Sequence, residues 1–136
     1  MYTGYKLDNA SRSKLATLFP PKYPEFIGHH ITEAFKIKDG SVPKQPQIIL
    51  AIAHIDNGVG VEGFVVSLDG STTRLDGQTY HLTWSIDRNK GAKPVHTNNH
   101  IGMAIKLKQP IVLDALAKFF DGSGKSYDAG EYGCTL

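Results

Sequence analysis

Alternating apolar and polar positions predict that the chain is built mainly from short β-strands. Runs of alternating or β-branched residues mark six strand candidates, bounded by glycine, proline, asparagine or aspartate. These candidates are residues 2–7, 26–37, 48–55, 64–68, 79–87 and 101–108.

One segment with helical spacing follows the first strand. Asp8 or Ser11 can cap a helix there, and the prolines at positions 20 and 21 end it. The apolar stripe of this helix is formed by Leu15, Leu18 and Phe19. Residues 111–120 fit either a helix or a strand, and the glycine-rich tail from residue 121 is predicted to be a loop.

Tight turns connect the predicted strands. Asn57-Gly58 lies between two β-branched runs and is the strongest local signal for a hairpin. Aspartate–glycine turns follow at positions 69–70 and 76–77. Short strands joined by such turns favour antiparallel pairing, so the sequence predicts an α+β fold with one or two helices. The length suits a single domain over residues 1–136.

Composition excludes several classes of protein. The chain has 136 residues, 40% of them hydrophobic, and a net charge of +2, which excludes disordered and collagen-like chains and general nucleic-acid coat proteins. Residues 48–53, the longest purely apolar run, cannot cross a membrane, and no signal-peptide pattern is visible. Cys134 is the single cysteine, so it cannot form an internal disulfide, and nothing marks it as a nucleophile. We therefore expect a cytoplasmic protein.

Two glycine-rich segments resemble nucleotide-binding fingerprints in sequence but do not meet all their requirements. Residues 58–63 fit G-x-G-x-x-G, but the strand-forming residues 64–66 follow where that fingerprint requires a helix. Residues 122–126 resemble the end of a Walker A loop, but Phe119 occupies the position of its first glycine. We expect a hairpin at the first segment, a loop at the second, and no cofactor.

Two of the six histidines open the same triplet on predicted strands. These triplets are His30-Ile31-Thr32 and His81-Leu82-Thr83. Because residues i and i+2 of a strand share a face, each triplet presents an imidazole beside a hydroxyl. The opposite face of the second strand is predicted to be buried and carries Tyr80, Leu82, Trp84 and Ile86. The opposite face of the first strand is likewise predicted to be buried and carries Ile31, Phe35 and Ile37, with Glu33 as an exception.

Two imidazoles and two hydroxyls facing one cleft suit the cleavage of a phosphodiester without a metal ion. One neutral histidine can accept the proton of the attacking oxygen, while one protonated histidine gives a proton to the leaving oxygen. Histidine titrates near neutrality with little tuning. The hydroxyls of Thr32 and Thr83 can donate to the phosphate oxygens, where charge gathers in the transition state. We therefore predict His30, Thr32, His81 and Thr83 as catalytic residues.

These motifs resemble those of the 2H phosphoesterases, a superfamily named for two His-x-Thr/Ser motifs. Residues 80–84 meet the family pattern in full, whereas the first copy has His29 before its motif and Glu33 after it. The two motif histidines are 51 residues apart, which is short for the superfamily and suggests a trimmed member. The resemblance implies a bilobal fold with two antiparallel sheets, pseudo-twofold symmetry and one motif from each lobe. It also implies substrates such as 2′,3′-cyclic phosphates, 2′-5′ linkages and related nucleotides.

A narrower likeness is to small phage-type 2H proteins, some of which resemble the anti-CBASS nucleases that degrade cyclic oligonucleotide signals. It is carried by residues 2–5, 19–24, 29–32 and 80–85. It implies a cyclic oligonucleotide substrate and, for a phage-encoded protein, action in the host cytoplasm.

Several further residues are candidates for substrate binding. Lys36 shares the predicted face of His30 and can meet a second phosphate. Arg88, followed by Lys90 and Lys93, is predicted to steer anions from a loop after the second motif. Tyr5 is the preferred candidate for stacking on a base, ahead of Tyr2 and Trp84, and we expect Trp84 to be in the core.

Two other functions remain open at this stage. The first is a non-catalytic module that sequesters a nucleotide or RNA in the same cleft. The second is a metallohydrolase that uses histidines outside the second motif, although His96 and His100 lack a third ligand at suitable spacing. We predict no metal site. The sequence leaves open which histidine is the base, whether His29 or His30 is used, and the oligomeric state.

Overall fold

The computed structural model describes residues 1–133, so Cys134 lies outside the described residues. Within this range the fold is α+β, and nine strands form one antiparallel sheet. The strands are β1 (Tyr2–Leu7), β2 (Glu25–Phe26), β3 (His30–Phe35), β4 (Ile49–Asp56), β5 (Val61–Leu68), β6 (His81–Ile86), β7 (Ile105–Leu113), β8 (Ala115–Phe120) and β9 (Ser126–Tyr127).

Two helices of ten residues accompany the sheet. Helix α1 (Asn9–Leu18) is capped by Asp8, whose side chain accepts a hydrogen bond from the amide of Ser11. This bond satisfies one of the free N–H groups of the first turn. The second is a 3₁₀ helix (Pro94–Met103) that begins with proline. A further 3₁₀ turn covers Arg88–Lys90, and no helix among the described residues is both long and apolar enough to span a bilayer.

The strand order divides the sheet into two halves that meet at the motif strands. Leaving β2 aside, the order is β7-β4-β5-β6-β3-β1-β8-β9, and β2 pairs with β6. One half therefore ends in β6 and the other in β3. The register between β3 and β6 contains a single antiparallel pair, Ile31 opposite Leu82. The two histidine motifs thus meet at the junction between the halves.

One face of the sheet packs against α1 and forms the main core. Leu15 of the helix is fully buried against the sheet, together with Ile31, Leu82 and Trp84. The indole N–H of Trp84 donates to the carbonyl of Phe19, just after the helix. The predicted core position of Trp84 is confirmed, because the clean alternation of β6 places every second residue on this face.

The other face of β4, β5 and β6 is covered by the 3₁₀ helix. Thr97 of this helix is fully buried, and a Cβ on Gly63 of β5 would lie 2.7 Å from its methyl group. The helix can approach the sheet this closely because position 63 has no side chain. The glycines of residues 58–63 therefore belong to the β4–β5 hairpin and its packing, as the sequence predicts.

Two local features depart from the predicted pattern. The strand predicted over residues 26–37 is interrupted between β2 and β3, where Gly28 has a φ of +50°. A register shift in the β1–β3 pairing then leaves Glu33 without a partner on β1, so the regular alternation is lost. Phe35 is 54% exposed rather than in the core, and Glu33 is buried. The predicted burial of Phe35 is wrong for this reason.

Residues 111–120 form strand on both sides of a break at Asp114. β7 pairs with β4 at one end of the sheet, and β8 pairs with β1 in the other half. The break is anchored to α1, because the amide of Asp114 donates to the hydroxyl of Ser11 and its carbonyl accepts from the amide of Asp8. This connection carries the chain from one half of the sheet to the other.

Candidate active site

All four motif side chains line one cavity, on the face of the sheet opposite α1. The cavity lies at the β3–β6 junction, between the sheet, the 3₁₀ helix and a short hairpin that connects β5 to β6 and pairs Thr73 with Thr79. Its lining residues are Ile27, His30, Thr32, Phe35, Arg74, His81, Thr83, Pro94, Val95 and Asn98. Its volume is about 190 Å³, which is below the roughly 300–1,000 Å³ of sites that enclose a drug-sized ligand. The space suits a phosphate group with part of a sugar, with bases at the rim.

The strand register sets the spacing of the four motif residues. One residue to either side of the Ile31–Leu82 pair, antiparallel strands bring His30 opposite Thr83 and Thr32 opposite His81. The two histidines are then diagonal neighbours, and such positions are roughly 7–8 Å apart. Because both side chains line the same cavity from positions at this backbone spacing, they can approach a phosphate from two sides.

His81 is held in a single tautomer. Its Nδ1 lies 2.9 Å from the carbonyl oxygen of Thr79, and only an N–H can pair with a carbonyl, so Nδ1 carries the hydrogen. Neutral His81 therefore keeps its lone pair on Nε2. Burial lowers the pKa of His81, the bond to Thr79 opposes this shift, and the guanidinium of Arg74 lowers the pKa further. These features suit a general base.

His30 is packed among aromatic rings. The ring centroids of Tyr2 and Phe120 lie 4.9 and 5.3 Å from that of His30. Burial lowers the pKa of His30 to about 4, with smaller contributions from the positive charges of His29 and His81. The Nδ1 atoms of His30 and His29 lie 2.9 Å apart, within hydrogen-bond distance. Of this tandem of adjacent histidines, His30 lines the cavity that holds the four motif side chains (the motif cavity), and His29 lines a neighbouring cavity.

The backbone between β2 and β3 fixes where these rings lie. The amides of Ile27 and Gly28 donate to the carbonyls of Trp84 and Thr83, and the carbonyl of His29 accepts from the amide of Leu7. A Cβ on Gly28 would lie 2.8 Å from the Trp84 ring. Residues 27–29 are therefore held against both β6 and the end of β1, which positions His30 at the start of β3.

The two motif threonines differ in their hydrogen bonds. The hydroxyl of Thr83 donates to the carbonyl of Pro94 at 3.0 Å, and its oxygen lies 2.8 Å from the hydroxyl oxygen of Thr97. Since Thr83 has one hydrogen, Thr97 is the donor in the second bond. The Thr32 hydroxyl lines the cavity and makes no side-chain hydrogen bond within residues 1–133. Thr32 is therefore free to bind a phosphate oxygen, whereas Thr83 is used in fixing the 3₁₀ helix.

Arg74 is a cavity residue that the sequence analysis missed. It is 5% exposed, and its Nε and Nη2 donate to the carboxylate of Asp76 at 3.1 and 2.8 Å. Its guanidinium carbon lies 5.5 Å from the centroid of Phe35. Nη1 has no partner within the described chain and remains available for an anion. The only sequence signal was the position of Arg74 beside the Asp76-Gly77 turn, seven residues before the motif histidine.

Apolar side chains form the rim of the cavity. Phe35 and Val95 are 54% and 66% exposed, and both line the cavity together with Pro94. An exposed aromatic ring beside a cavity with a cation is a platform on which a nucleobase can stack. Phe35 rather than Tyr5 is therefore the aromatic residue that the structure brings to the site.

Tyr5 lies on the opposite face of the sheet. It is 3% exposed within the main core, and its hydroxyl donates to Glu33 at 2.9 Å. The hydroxyl of Tyr80 is 2.7 Å from the same carboxylate oxygen. Burial and the carboxylate raise the pKa of both tyrosines. The structure therefore does not bring Tyr5 to the cavity, because its ring is enclosed on the side away from the motifs.

Lys36 and Arg88 also lie outside the cavity lining. Lys36 follows the end of β3 with a φ of +61° and is exposed to solvent. Arg88 makes a bidentate ion pair with Glu25 at 2.6 and 2.8 Å beside a separate shallow cavity. Neither residue is brought to the four motif side chains.

The remaining histidines are dispersed. His54 pairs with Glu62 at 2.8 Å, Nδ1 of His96 accepts from the amide of Lys93, and His100 contacts Asn57. Among residues 1–133, no three or more histidine, cysteine, aspartate or glutamate side chains form a group suited to a metal ion. The spacing of His96 and His100 does not produce a shared site in this structure.

Comparison of the chain with protein-family models, curated proteins and solved structures finds no match. The function is therefore argued from the site itself.

Proposed function

We propose that the protein is a phosphoesterase of the 2H type, which cleaves phosphodiester bonds of small nucleotides by paired-histidine acid–base catalysis without a metal ion. The observation that carries the proposal is the convergence of His30, Thr32, His81 and Thr83 on one cavity. Two strands from different halves of the sheet contribute one imidazole and one hydroxyl each. This arrangement can accept a proton on one side of a phosphate and donate one on the other.

We also propose that the two halves of the sheet correspond to the two lobes of the 2H fold. Each half contains four strands in series and ends, at the junction, in a strand that carries one motif. Antiparallel pairing at Ile31–Leu82 relates the two motifs by a local twofold axis. The sheet is continuous across this axis, which supports a trimmed member in which the lobes are closely joined.

Arg74 and Phe35 favour a nucleotide over other phosphodiesters. A guanidinium at the end of the cavity can bind the equatorial oxygens of the phosphate, and the exposed ring can stack on a base. Cyclic oligonucleotides present two or more phosphates and bases in a compact ring, so they are the first substrates to test. 2′,3′-Cyclic phosphates and 2′-5′ linkages are the next.

Product analysis in excess EDTA tests the proposal. We expect the full chain to convert at least one of a cyclic dinucleotide, a cyclic trinucleotide, a 2′,3′-cyclic mononucleotide and a 2′-5′ dinucleotide. His81→Ala should lower kcat by about 10²–10⁴-fold, whereas His100→Ala, a histidine outside the cavity, should retain the wild-type rate. Thermal melts of both variants separate a lost catalytic group from a lost fold.

A nucleotide-sequestering module is the second candidate, and the hydrogen bonds of Thr83 favour it. Its only hydrogen is donated to Pro94 rather than offered to the cavity, which leaves fewer donors for a transition state than the motif suggests. This candidate predicts saturable binding without product, and a His81→Ala variant that loses affinity only. Such a result for every nucleotide in the panel would contradict the phosphoesterase.

A further inference from the structure

We propose that His29 supplies the proton that His30 gives to the leaving oxygen, so that the tandem forms a two-ring relay while His81 acts as the base. This inference rests on the proposed phosphoesterase function and assigns the acid and base within it. His29 does not touch the substrate in this scheme. It is a positioning and proton-supplying residue that acts through His30.

The relay rests first on the contact between the two rings. Their Nδ1 atoms are 2.9 Å apart, the ring planes are at 82°, and the centroids are 5.1 Å apart. Since two bare nitrogens cannot attract each other, one Nδ1 carries a hydrogen and the other accepts it. When His29 is protonated both of its nitrogens are donors, so the hydrogen lies on His29. His30 then accepts at Nδ1 and carries its own hydrogen on Nε2.

The two rings open to different surroundings. His30 lines the motif cavity, and His29 is exposed beside a second cavity formed with Tyr2, Phe120, Gly122, Gly124 and Lys125. A proton can therefore reach His29 from solvent without passing through the substrate cavity. The two histidines therefore connect the two cavities, beside the rings of Tyr2 and Phe120.

Burial explains why His30 needs a neighbour. Its pKa of about 4 leaves the ring neutral at physiological pH, and a neutral imidazole that simply loses its Nε2 hydrogen would become a very strong base. If Nδ1 gains a proton from His29 as Nε2 gives one up, His30 stays neutral throughout. Buried His30 then never has to hold a positive charge, which its surroundings disfavour.

The proton balance of the step closes with these three rings. The attacking hydroxyl, from water or a ribose, forms the new P–O bond and gives its proton to Nε2 of His81. The leaving oxygen takes the Nε2 hydrogen of His30 as its P–O bond breaks, and Nδ1 of His30 takes the hydrogen of His29. His81 ends protonated, His29 ends neutral, and His30 ends with its hydrogen on Nδ1. After the product leaves, Nε2 of His30 takes a proton from water in the cavity while its Nδ1 hydrogen returns to His29, and His81 gives its proton to solvent.

The charged groups around the tandem set when the relay is active. Partial burial lowers the pKa of His29, and the nearby cations of Lys6 and Arg12 lower it further. Lys125 lines the second cavity with His29, and Tyr2 and Phe120 pack against His30. The His81 pKa is lowered as well. Because the acid limb reports His81 and the basic limb His29, we expect kcat/KM to peak below pH 6.5.

Nitrogen NMR of histidine-labelled protein tests the tandem without any substrate. Below the pKa of His29, we expect His30 to remain neutral, with hydrogen on Nε2 and an accepting Nδ1. His29→Asn should leave His30 in the same tautomer, because the amide N–H can replace the Nδ1 donor. A His30 that carries its hydrogen on Nδ1 while His29 is protonated, or that becomes an imidazolium with it, would overturn the relay.

Kinetics of His29→Asn then separate proton supply from positioning. Because the amide can donate a hydrogen bond but cannot pass a proton on, we expect kcat to fall about 10²-fold, at the lower end of acid–base effects, with KM unchanged. The dependence of the rate on deuterium fraction in mixed H₂O and D₂O should become less curved, because two protons rather than three then move in the step. Unchanged kcat and curvature in this variant would overturn the relay and leave the phosphoesterase intact.

Failure of the proposed function has a different signature. In that case the wild type yields no product from any nucleotide, or His81→Ala retains the full rate. The relay would then fall with it, because there would be no leaving oxygen to protonate.

Discussion

The two copies of the histidine–threonine triplet have the same chemistry and different surroundings. His81 is fixed by the backbone carbonyl of Thr79 and lies near the cation of Arg74. His30 is fixed by another titratable ring, His29, and lies between the rings of Tyr2 and Phe120. One imidazole is therefore locked to a single tautomer, while the other is bonded to a group that can change its proton.

The threonines show the same difference between the two copies. The hydroxyl of Thr83 is bonded to Pro94 and Thr97, whereas the hydroxyl of Thr32 makes no such bond and is open to the cavity. A symmetric pair of motifs has thus become an asymmetric site. A repeated motif therefore fixes which groups meet, while the neighbours contributed by each half decide which task each group can perform.

Among substitutions of the residues around the two motif histidines, removal of the cation near His81 should have the largest effect. We expect Arg74→Met to lower kcat by about 10²–10³-fold, the magnitude seen when one preorganised donor to a developing negative charge is lost. Because Arg74 also lowers the pKa of His81, the acid limb of kcat/KM should move to higher pH. Steady-state kinetics across pH measure both effects.

Arg88→Met is the matched control for this substitution. Arg88 was the arginine chosen from the sequence, yet it pairs with Glu25 away from the cavity. We expect its loss to leave kcat unchanged. An equal decrease in both variants would mean that general charge steers the substrate, and that Arg74 has no special place in the site.

The strands and hairpins could be predicted because their signals are local. Alternation in β6 identified both faces, Asn57-Gly58 marked the β4–β5 hairpin, and Asp8 marked the start of α1. Each of these signals involves neighbours along the chain, for which the spacing of side chains on a strand or helix is fixed by geometry. The shared cavity of the two triplets is expected from their matched chemistry and from the family resemblance, not from local geometry.

The rest depends on contacts that the sequence does not encode locally. The shift at Glu33 exists because its carboxylate binds Tyr5 and Tyr80, 28 and 47 residues away, and it reversed the predicted burial of Phe35. Arg74 reaches the cavity through the folding of an entire hairpin, and Phe120 reaches His30 across the sheet. Local alternation could not anticipate these partners.

The partly buried ring of His30 should make the free energy of unfolding depend on pH. The folded pKa of His30 is about 4, against an ordinary value of 6.5, so between these pH values the unfolded chain binds more protons. The free energy of unfolding therefore falls as pH falls through this window, by on the order of 2–3 kcal/mol from this group. Urea unfolding at pH 7 and pH 4.5 measures the change.

His30→Phe isolates this contribution. Phenylalanine can occupy the space between Tyr2 and Phe120 and does not titrate, so we expect the variant to lose less stability than the wild type on acidification. The acidic residues contribute equally to both proteins and cancel in the comparison. Parallel pH dependences would show that His30 is not held neutral by its neighbours.

The threonine pair offers the smallest effect and the sharpest test of the asymmetry. Thr32→Val removes an open hydroxyl from the cavity, so we expect about a tenfold loss of kcat/KM, equal to one hydrogen bond of about 1.4 kcal/mol, with little change in stability. Thr83→Val leaves the Pro94 carbonyl and the Thr97 hydroxyl without their partner, which should cost about 1–3 kcal/mol of unfolding free energy. Its effect on kcat/KM in the folded protein should be the smaller of the two. Urea unfolding and initial rates on the same samples compare the variants directly.

If both substitutions lowered catalysis equally and left stability unchanged, Thr83 would have to turn from Pro94 toward the phosphate when substrate binds. The two motifs would then be equivalent in use although they differ in the free protein.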